Sequence, residues 1–216
     1  MLLKIEKRYI KSLESQHFRL SEVYKEMKDK VTLSLETKEI TKAILLRLKA
    51  YYQTQNKIKE FLNKRYLPAA SDFFVEAVIF YLKLLMDTQN INLEVHSEKQ
   101  IKQKRRSLRP DISIWKDNKV VAAIECKTQL GWNRHEWESD FKKRELKLKQ
   151  DFPKAKLFLL VMTSVNWSGF PKTNKNVGKQ YFTLSNKWPI EINENNMKEV
   201  IINPVEGLFK QIIKFV

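Results

Sequence analysis

Three residues stand where they can do chemistry together: Asp111, Glu125 and Lys127. In a strand, residues two apart share a face. Glu125 and Lys127 therefore project together from the apolar run between Val120 and Thr128, while Ile124 and Cys126 point the other way. Asp111 opens the stretch before it, and Lys116-Asp117-Asn118-Lys119 reads as a polar hairpin turn joining the two. Pairing across that turn brings the Asp111 carboxylate near that of Glu125. Two carboxylates at one strand edge repel each other until a cation neutralises them. Oxygen ligands of this kind suit Mg²⁺, with Mn²⁺ as a substitute. A lysine beside them orients a water nucleophile and counters charge on a phosphate.

Pro110-Asp111 followed by Glu125-Cys126-Lys127 resembles the PD-(D/E)xK nuclease superfamily. The resemblance covers roughly residues 70–165. It implies a restriction-endonuclease-like fold and metal-dependent hydrolysis of phosphodiester bonds. Asp111 and Glu125 would bind the metal, the backbone carbonyl of Cys126 would contribute, and Lys127 would assist the attacking water. Many members add a glutamate from the preceding core helix, and Glu76 occupies that place here. The physical reading agrees with this assignment. The segment Phe73 to Leu85 is apolar nearly all round, which marks an interior helix. An ionised carboxylate inside such a helix is costly unless it is paired. The alternative partner for Glu76 is Lys83 or a lysine of the N-terminal region. By strand parity the Cys126 thiol points into the core, away from the site.

The balance of charge indicates what the site acts on. The chain carries 41 Lys and Arg against 25 Asp and Glu, a net charge of +16. Such a chain attracts polyanions at long range. Residues 99–109 concentrate six basic residues in eleven, just ahead of the metal strand. Lys102, Lys104, Arg105, Arg106 and Arg109 are the candidate phosphate contacts, and a solvated loop is the alternative. Gln129 shares the Glu125 face and is a candidate for DNA or a metal-bound water. Trp115, Trp132 and Trp137 lie near enough to stack on a base, although aromatics more often pack in cores.

The elements that position these residues follow from hydrophobic period. Residues 1–67 hold no proline or glycine and read as a helix pair broken near Val31–Leu35, either a wing on the main domain or a module of its own. Residues 68–216 hold the core and a C-terminal tail. A helix capped by Ser71 or Asp72 runs to about Met86. Ile91, Leu93 and Val95 alternate as a strand, and the hairpin follows. Residues 132–151 are helical, Ala155 to Thr163 is a buried strand, and Tyr181 to Leu184 is an edge strand. Asn203-Pro204-Val205-Glu206 opens a last helix, with Asn203 as N-cap and Glu206 at N3. The order predicts an α/β fold with a mixed central sheet flanked by helices.

Composition closes several classes. At 216 residues the chain builds a sizeable core. One cysteine excludes an intrachain disulfide and any multi-cysteine zinc site. The longest unbroken apolar run, Leu157 to Met162, is too short to cross a bilayer. The charged N-terminus favours a cytoplasmic location. The expectation is a Mg²⁺-dependent endonuclease on double-stranded DNA, restriction-type and homodimeric as the resemblance implies. A junction-resolving or repair nuclease of the same fold and a non-catalytic nucleic-acid-binding module are the alternatives.

Overall fold

The structure is a computed structural model and describes residues 1–131, 135–171 and 173–215. Three helices lead: α1 (Leu2–Lys30), α2 (Glu39–Phe61) and α3 (Ser71–Thr88). Strands β1 (Glu94–Ser97), β2 (Ile112–Lys116) and β3 (Lys119–Lys127) follow. Next come α4 (Trp137–Asp151), β4 (Lys156–Thr163), β5 (Tyr181–Ser185), the short α5 (Met197–Val200) and α6 (Val205–Ile213). The five strands lie in sequence order, β1-β2-β3-β4-β5. The first three are antiparallel and the last two join in parallel, so the sheet is mixed.

Strand parity divides the core in two. Ile112, Ile114, Ala122, Ile124, Cys126, Phe158, Leu160 and Met162 face α2, α3 and α6. Trp115, Val120, Ala123, Leu157, Leu159 and Val161 face α4. Burial on both faces explains why β4 is an unbroken apolar run. Helix α4 buries Phe141 and Leu148, and its outer side carries the pairs Glu138–Lys142 and Glu145–Lys149 at i,i+4 spacing.

The hairpin forms at the expected turn. Asp117 and Asn118 both take positive φ, 49° and 59°, the backbone of a tight two-residue hairpin. Strand β5 is a sheet edge yet is buried throughout. The chain at 201–203 runs beside it, with Ile202 N–H on the Leu184 carbonyl and Asn203 N–H on that of Thr183. That coverage removes an open edge.

Within residues 1–67, α1 buries none of its residues, whereas α2 packs into the core. Ile40, Ile44, Leu45, Leu48 and Tyr52 of α2 belong to the same core as α3 and α6.

Three expectations need correction. Helix α3 starts at Ser71 after Ala70 as its N-cap, so neither Ser71 nor Asp72 caps it with a side chain. The first strand begins at Glu94, because Ile91 and Leu93 pack as a coil after α3. The last helix is not closed by an Asn203 side-chain cap. Asn203 accepts the Thr183 N–H instead, and the buried Glu206 reaches across to α2. There its carboxylate accepts the Thr41 N–H at 3.0 Å and the Thr41 hydroxyl at 2.5 Å. The same hydroxyl oxygen accepts the Val205 N–H at 2.7 Å. Each helix thus satisfies an N-terminal N–H of the other.

Candidate active site

A β-bulge sets the register of the site. At the turn, Lys116 pairs with Lys119 and Trp115 with Val120. The register then shifts by one, Val121 is left over, and Ile114 pairs with Ala122 and Ile112 with Ile124. Carried one residue past the ladder, this register sets Asp111 opposite Glu125. Had the pairing at the turn run on unbroken, Asp111 would stand opposite Ile124, on the other face of the sheet. The bulge therefore sets Asp111 beside Glu125 at the end of the ladder: Glu125 and Lys127 border a pocket on the α4 side, while Asp111 and Lys127 border a cleft that α3 also lines.

Beyond the ladder, side chains take over from backbone pairing. The Cys126 N–H donates to Asp111 Oδ2 at 2.7 Å. Lys127 Nζ lies 3.6 Å from the same oxygen. The Asp111 carbonyl accepts the Glu98 N–H at 3.2 Å, which ties the start of β2 to the end of β1. Glu125 is 3% exposed. Its Oε1 accepts a 2.6 Å bond from Arg144 Nη2 on α4, and that nitrogen also donates to the Arg109 carbonyl at 3.2 Å. Burial pushes the Glu125 carboxyl up to about 7; Arg144 opposes this and the Asp111 charge adds to it. The Cys126 thiol is held well above its ordinary range, first by burial and then by Asp111 and Glu125. It is a core thiol, as strand parity indicated.

A cleft of about 610 Å³ opens beside Asp111, lined by Asp72, Glu76, Glu98, Lys127, Thr128 and Gln129 among others. Glu76 thus shares a cleft with Asp111 and Lys127, but it is not an interior residue. Its position on α3 is exposed, and no ion pair joins it to Lys83 or to a lysine of α1 or α2 among the described residues. Helix α3 is apolar nearly all round, yet Glu76 is exposed and lines the cleft together with Ser71, Asp72 and Val75 of the same helix. A second pocket of about 180 Å³ lies on the α4 side of β3, lined by Glu125, Lys127, Gln129, Trp137, Phe141 and Arg144 among others. Lys127 and Gln129 border both.

The basic segment is an ordered loop. Ile101 and Leu108 are buried, and the Ile101 N–H bonds to the Leu108 carbonyl at 3.1 Å. Lys102 and Lys104 converge on Asp151, at 3.1 and 2.7 Å, and Lys104 leads in holding that carboxyl below its ordinary value. Arg105 and Arg106 at the tip, and Arg109, are exposed and have no ion-pair partner among the described residues. Trp115 packs in the core with its Nε1–H on Ser113 Oγ, and Lys99 sits over its ring. Trp137 stacks edge-on against Phe170 and Tyr181. Trp132 lies outside the described residues.

Two residues of the site were not singled out from sequence. Glu98 is exposed in the cleft at the end of β1, and no spacing rule pointed to it. Arg144 had a legible signal. It falls on the stripe Trp137, Phe141, Arg144, Leu148, which puts a cation in line with the buried positions of the helix.

The donors fit Mg²⁺ only with help from outside the chain. Among the described residues no group of three or more His, Cys, Asp or Glu is placed to hold a metal ion. The pair Asp111 and Glu125 is nevertheless the set that Mg²⁺ takes when waters and substrate phosphate supply the rest. Burial is the main reason the Glu125 carboxyl is raised, and the Asp111 charge is the smaller part that a divalent cation would offset. No protein-family model matches this chain, and no curated protein matches it. No helix among the described residues is long and apolar enough to cross a membrane.

Proposed function

We propose that this chain is a Mg²⁺-dependent endonuclease that hydrolyses phosphodiester bonds in double-stranded DNA, of the restriction type and acting as a homodimer. The observation that carries the reading is that Lys127 stands between the two carboxylates: it borders the cleft that Asp111 lines and the pocket that Glu125 lines, and the Asp111 charge reaches Glu125. Asp111 and Glu125 would hold the cation, and Glu76 on α3 and Glu98 just past β1 line the cleft that Asp111 borders. Bound there, the cation would supply a Lewis acid for the phosphoryl oxygen. Lys127 donates to the water and keeps its lone pair aimed at phosphorus. Its ammonium also offsets charge gained by the phosphoryl oxygens. The Cys126 N–H fixes the Asp111 carboxylate, so its direction is set before substrate arrives. Arg105, Arg106 and Arg109 offer exposed guanidinium groups to the DNA backbone.

The test is supercoiled plasmid incubated with Mg²⁺ or with EDTA, using the wild type and Lys127→Ala. Metal-dependent linear or nicked product that Lys127→Ala fails to make supports the reading. Plasmid left intact by the wild type in Mg²⁺ and in Mn²⁺ overturns it. One observation favours the second reading, a non-catalytic nucleic-acid-binding module: Arg144 already supplies Glu125 with a counter-charge. Salt-dependent DNA binding that ignores EDTA and yields no product would select that module.

A further inference from the structure

Where the β2–β3 ladder ends, the two halves of the site are joined by side chains, and one of those comes from neither strand. Arg144 Nη2 makes two bonds across this gap: 2.6 Å to Glu125 Oε1 on β3 and 3.2 Å to the carbonyl of Arg109, two residues before Asp111. An arginine paired with a carboxylate alone frequently engages it with both prongs of its fork. Arg144 does not. A single nitrogen is shared between a carboxylate and a main-chain carbonyl, and Nε is buried with no partner among the described residues. That geometry forgoes the stronger ion pair and gains a bridge between Glu125 and the chain that delivers Asp111. The Cys126 N–H to Asp111 Oδ2 bond closes the circuit from the other side.

We propose that Arg144 is the positioning residue of this site: through one shared nitrogen it fixes Glu125 against the Arg109–Asp111 segment, so that the two carboxylates meet a divalent cation in one arrangement. The inference rests on the cation-site reading above, and Arg144 itself touches neither cation nor DNA. Losing it frees Glu125 and the Arg109 carbonyl from each other, and the carboxylates must then be ordered when the cation binds. Partners that orient metal ligands in this way typically affect metal affinity by about 10–100-fold.

The experiment is a Mn²⁺ titration of the full chain without DNA, followed by electron paramagnetic resonance, on the wild type, Arg144→Gln and Arg144→Lys. The wild type should bind Mn²⁺, and Arg144→Gln should bind it at least ~10-fold more weakly. Arg144→Lys, which keeps a charge and a donor, should recover part of the loss. If Arg144→Gln does not fold, the comparison of wild type with Arg144→Lys carries the test, with a weaker but measurable loss expected. A folded variant with wild-type Mn²⁺ affinity overturns the positioning role, whatever its melting temperature. Tighter binding by the variant also overturns it, because Arg144 would then be a competitor for the cation's place. A wild type that binds no Mn²⁺ overturns the cation site itself, and that failure is seen before any variant is made.

Discussion

Because Val121 is left out of the β2–β3 ladder, its register, carried one residue past the last pair Ile112–Ile124, sets Asp111 opposite Glu125. The hairpin turn alone would have sent Asp111 to the other face of the sheet. One unpaired residue reverses that parity and brings the carboxylates together with Lys127. The register then ends, and the Cys126 N–H holds Asp111 where backbone pairing no longer does.

The first prediction follows from that bond. Asp111→Asn keeps an oxygen for the Cys126 N–H and removes the charge. Its melting temperature should stay within a few degrees of wild type, while plasmid cleavage falls by at least ~10²-fold. Asp111→Ala removes the acceptor as well and should lose both activity and some stability. DNA binding, measured by gel shift in EDTA, should survive in both. Cleavage by Asp111→Asn at the wild-type rate would reject Asp111 as a metal ligand.

Glu125 makes the site sensitive to pH. Its carboxyl titrates near 7 in the folded chain, against an ordinary value of 4.5, chiefly because it is buried. Between those values the folded protein holds a proton that the unfolded chain has released. The group's contribution to stability is therefore complete below pH 4.5 and is lost as pH rises through 7. The size of the loss is about 3 kcal/mol. In EDTA the wild type should lose stability from about pH 5 to about pH 8 relative to Glu125→Gln, as read from urea unfolding. Saturating Mg²⁺, which prefers the ionised form, should flatten the wild-type slope. Parallel profiles for wild type and variant would show that Glu125 does not titrate in this range.

The basic loop divides into two pairs. Lys102 and Lys104 are engaged with Asp151, whereas Arg105 and Arg106 at the tip are not ion-paired among the described residues. Replacing both arginines with alanine should reduce the slope of log K against log salt by about 1.8, roughly 0.9 for each phosphate no longer neutralised. Replacing both lysines should change the slope less and destabilise the loop, because Asp151 loses its partners. A salt titration of DNA binding in EDTA measures both. Equal slopes for wild type and the double arginine variant would make the tip a solvated loop.

Much of this arrangement was legible in the chain itself. The hairpin, the inward parity of Cys126 and the shared face of Glu125 and Lys127 follow from alternation and a two-residue turn, which are local. What was not legible depends on where elements end relative to one another. The apolar surroundings of Glu76 in sequence placed it indoors, but the start of α3 lines an open cleft and Glu76 is exposed there. The bulge at Val121 has no sequence mark, since Val120, Val121 and Ala122 all read as continuous strand. Glu206 has the spacing of a capping-box residue, and its partner turned out to be a helix 165 residues away in sequence.

That last pairing supports a prediction separable from all the chemistry. Thr41 and Glu206 join α2 to α6 on the face of the sheet opposite α4. Thr41→Val keeps the shape and deletes the hydroxyl. The Val205 N–H then loses its acceptor, and the buried Glu206 carboxylate keeps only the Thr41 N–H. Leaving a buried donor and half a carboxylate unpaired should cost about 2–4 kcal/mol. For a domain of this size that corresponds to a drop in melting temperature of roughly 5–15 °C. Thr41→Ser retains the hydroxyl and should lose less than about 1 kcal/mol. Because neither change reaches Asp111, Glu125 or Lys127, both variants should cleave like wild type well below their melting temperatures. A Thr41→Val protein that melts with the wild type would mean the two N-termini are satisfied without this hydroxyl. A stable Thr41→Val protein that had lost cleavage would instead couple the α2–α6 joint to the site across the sheet.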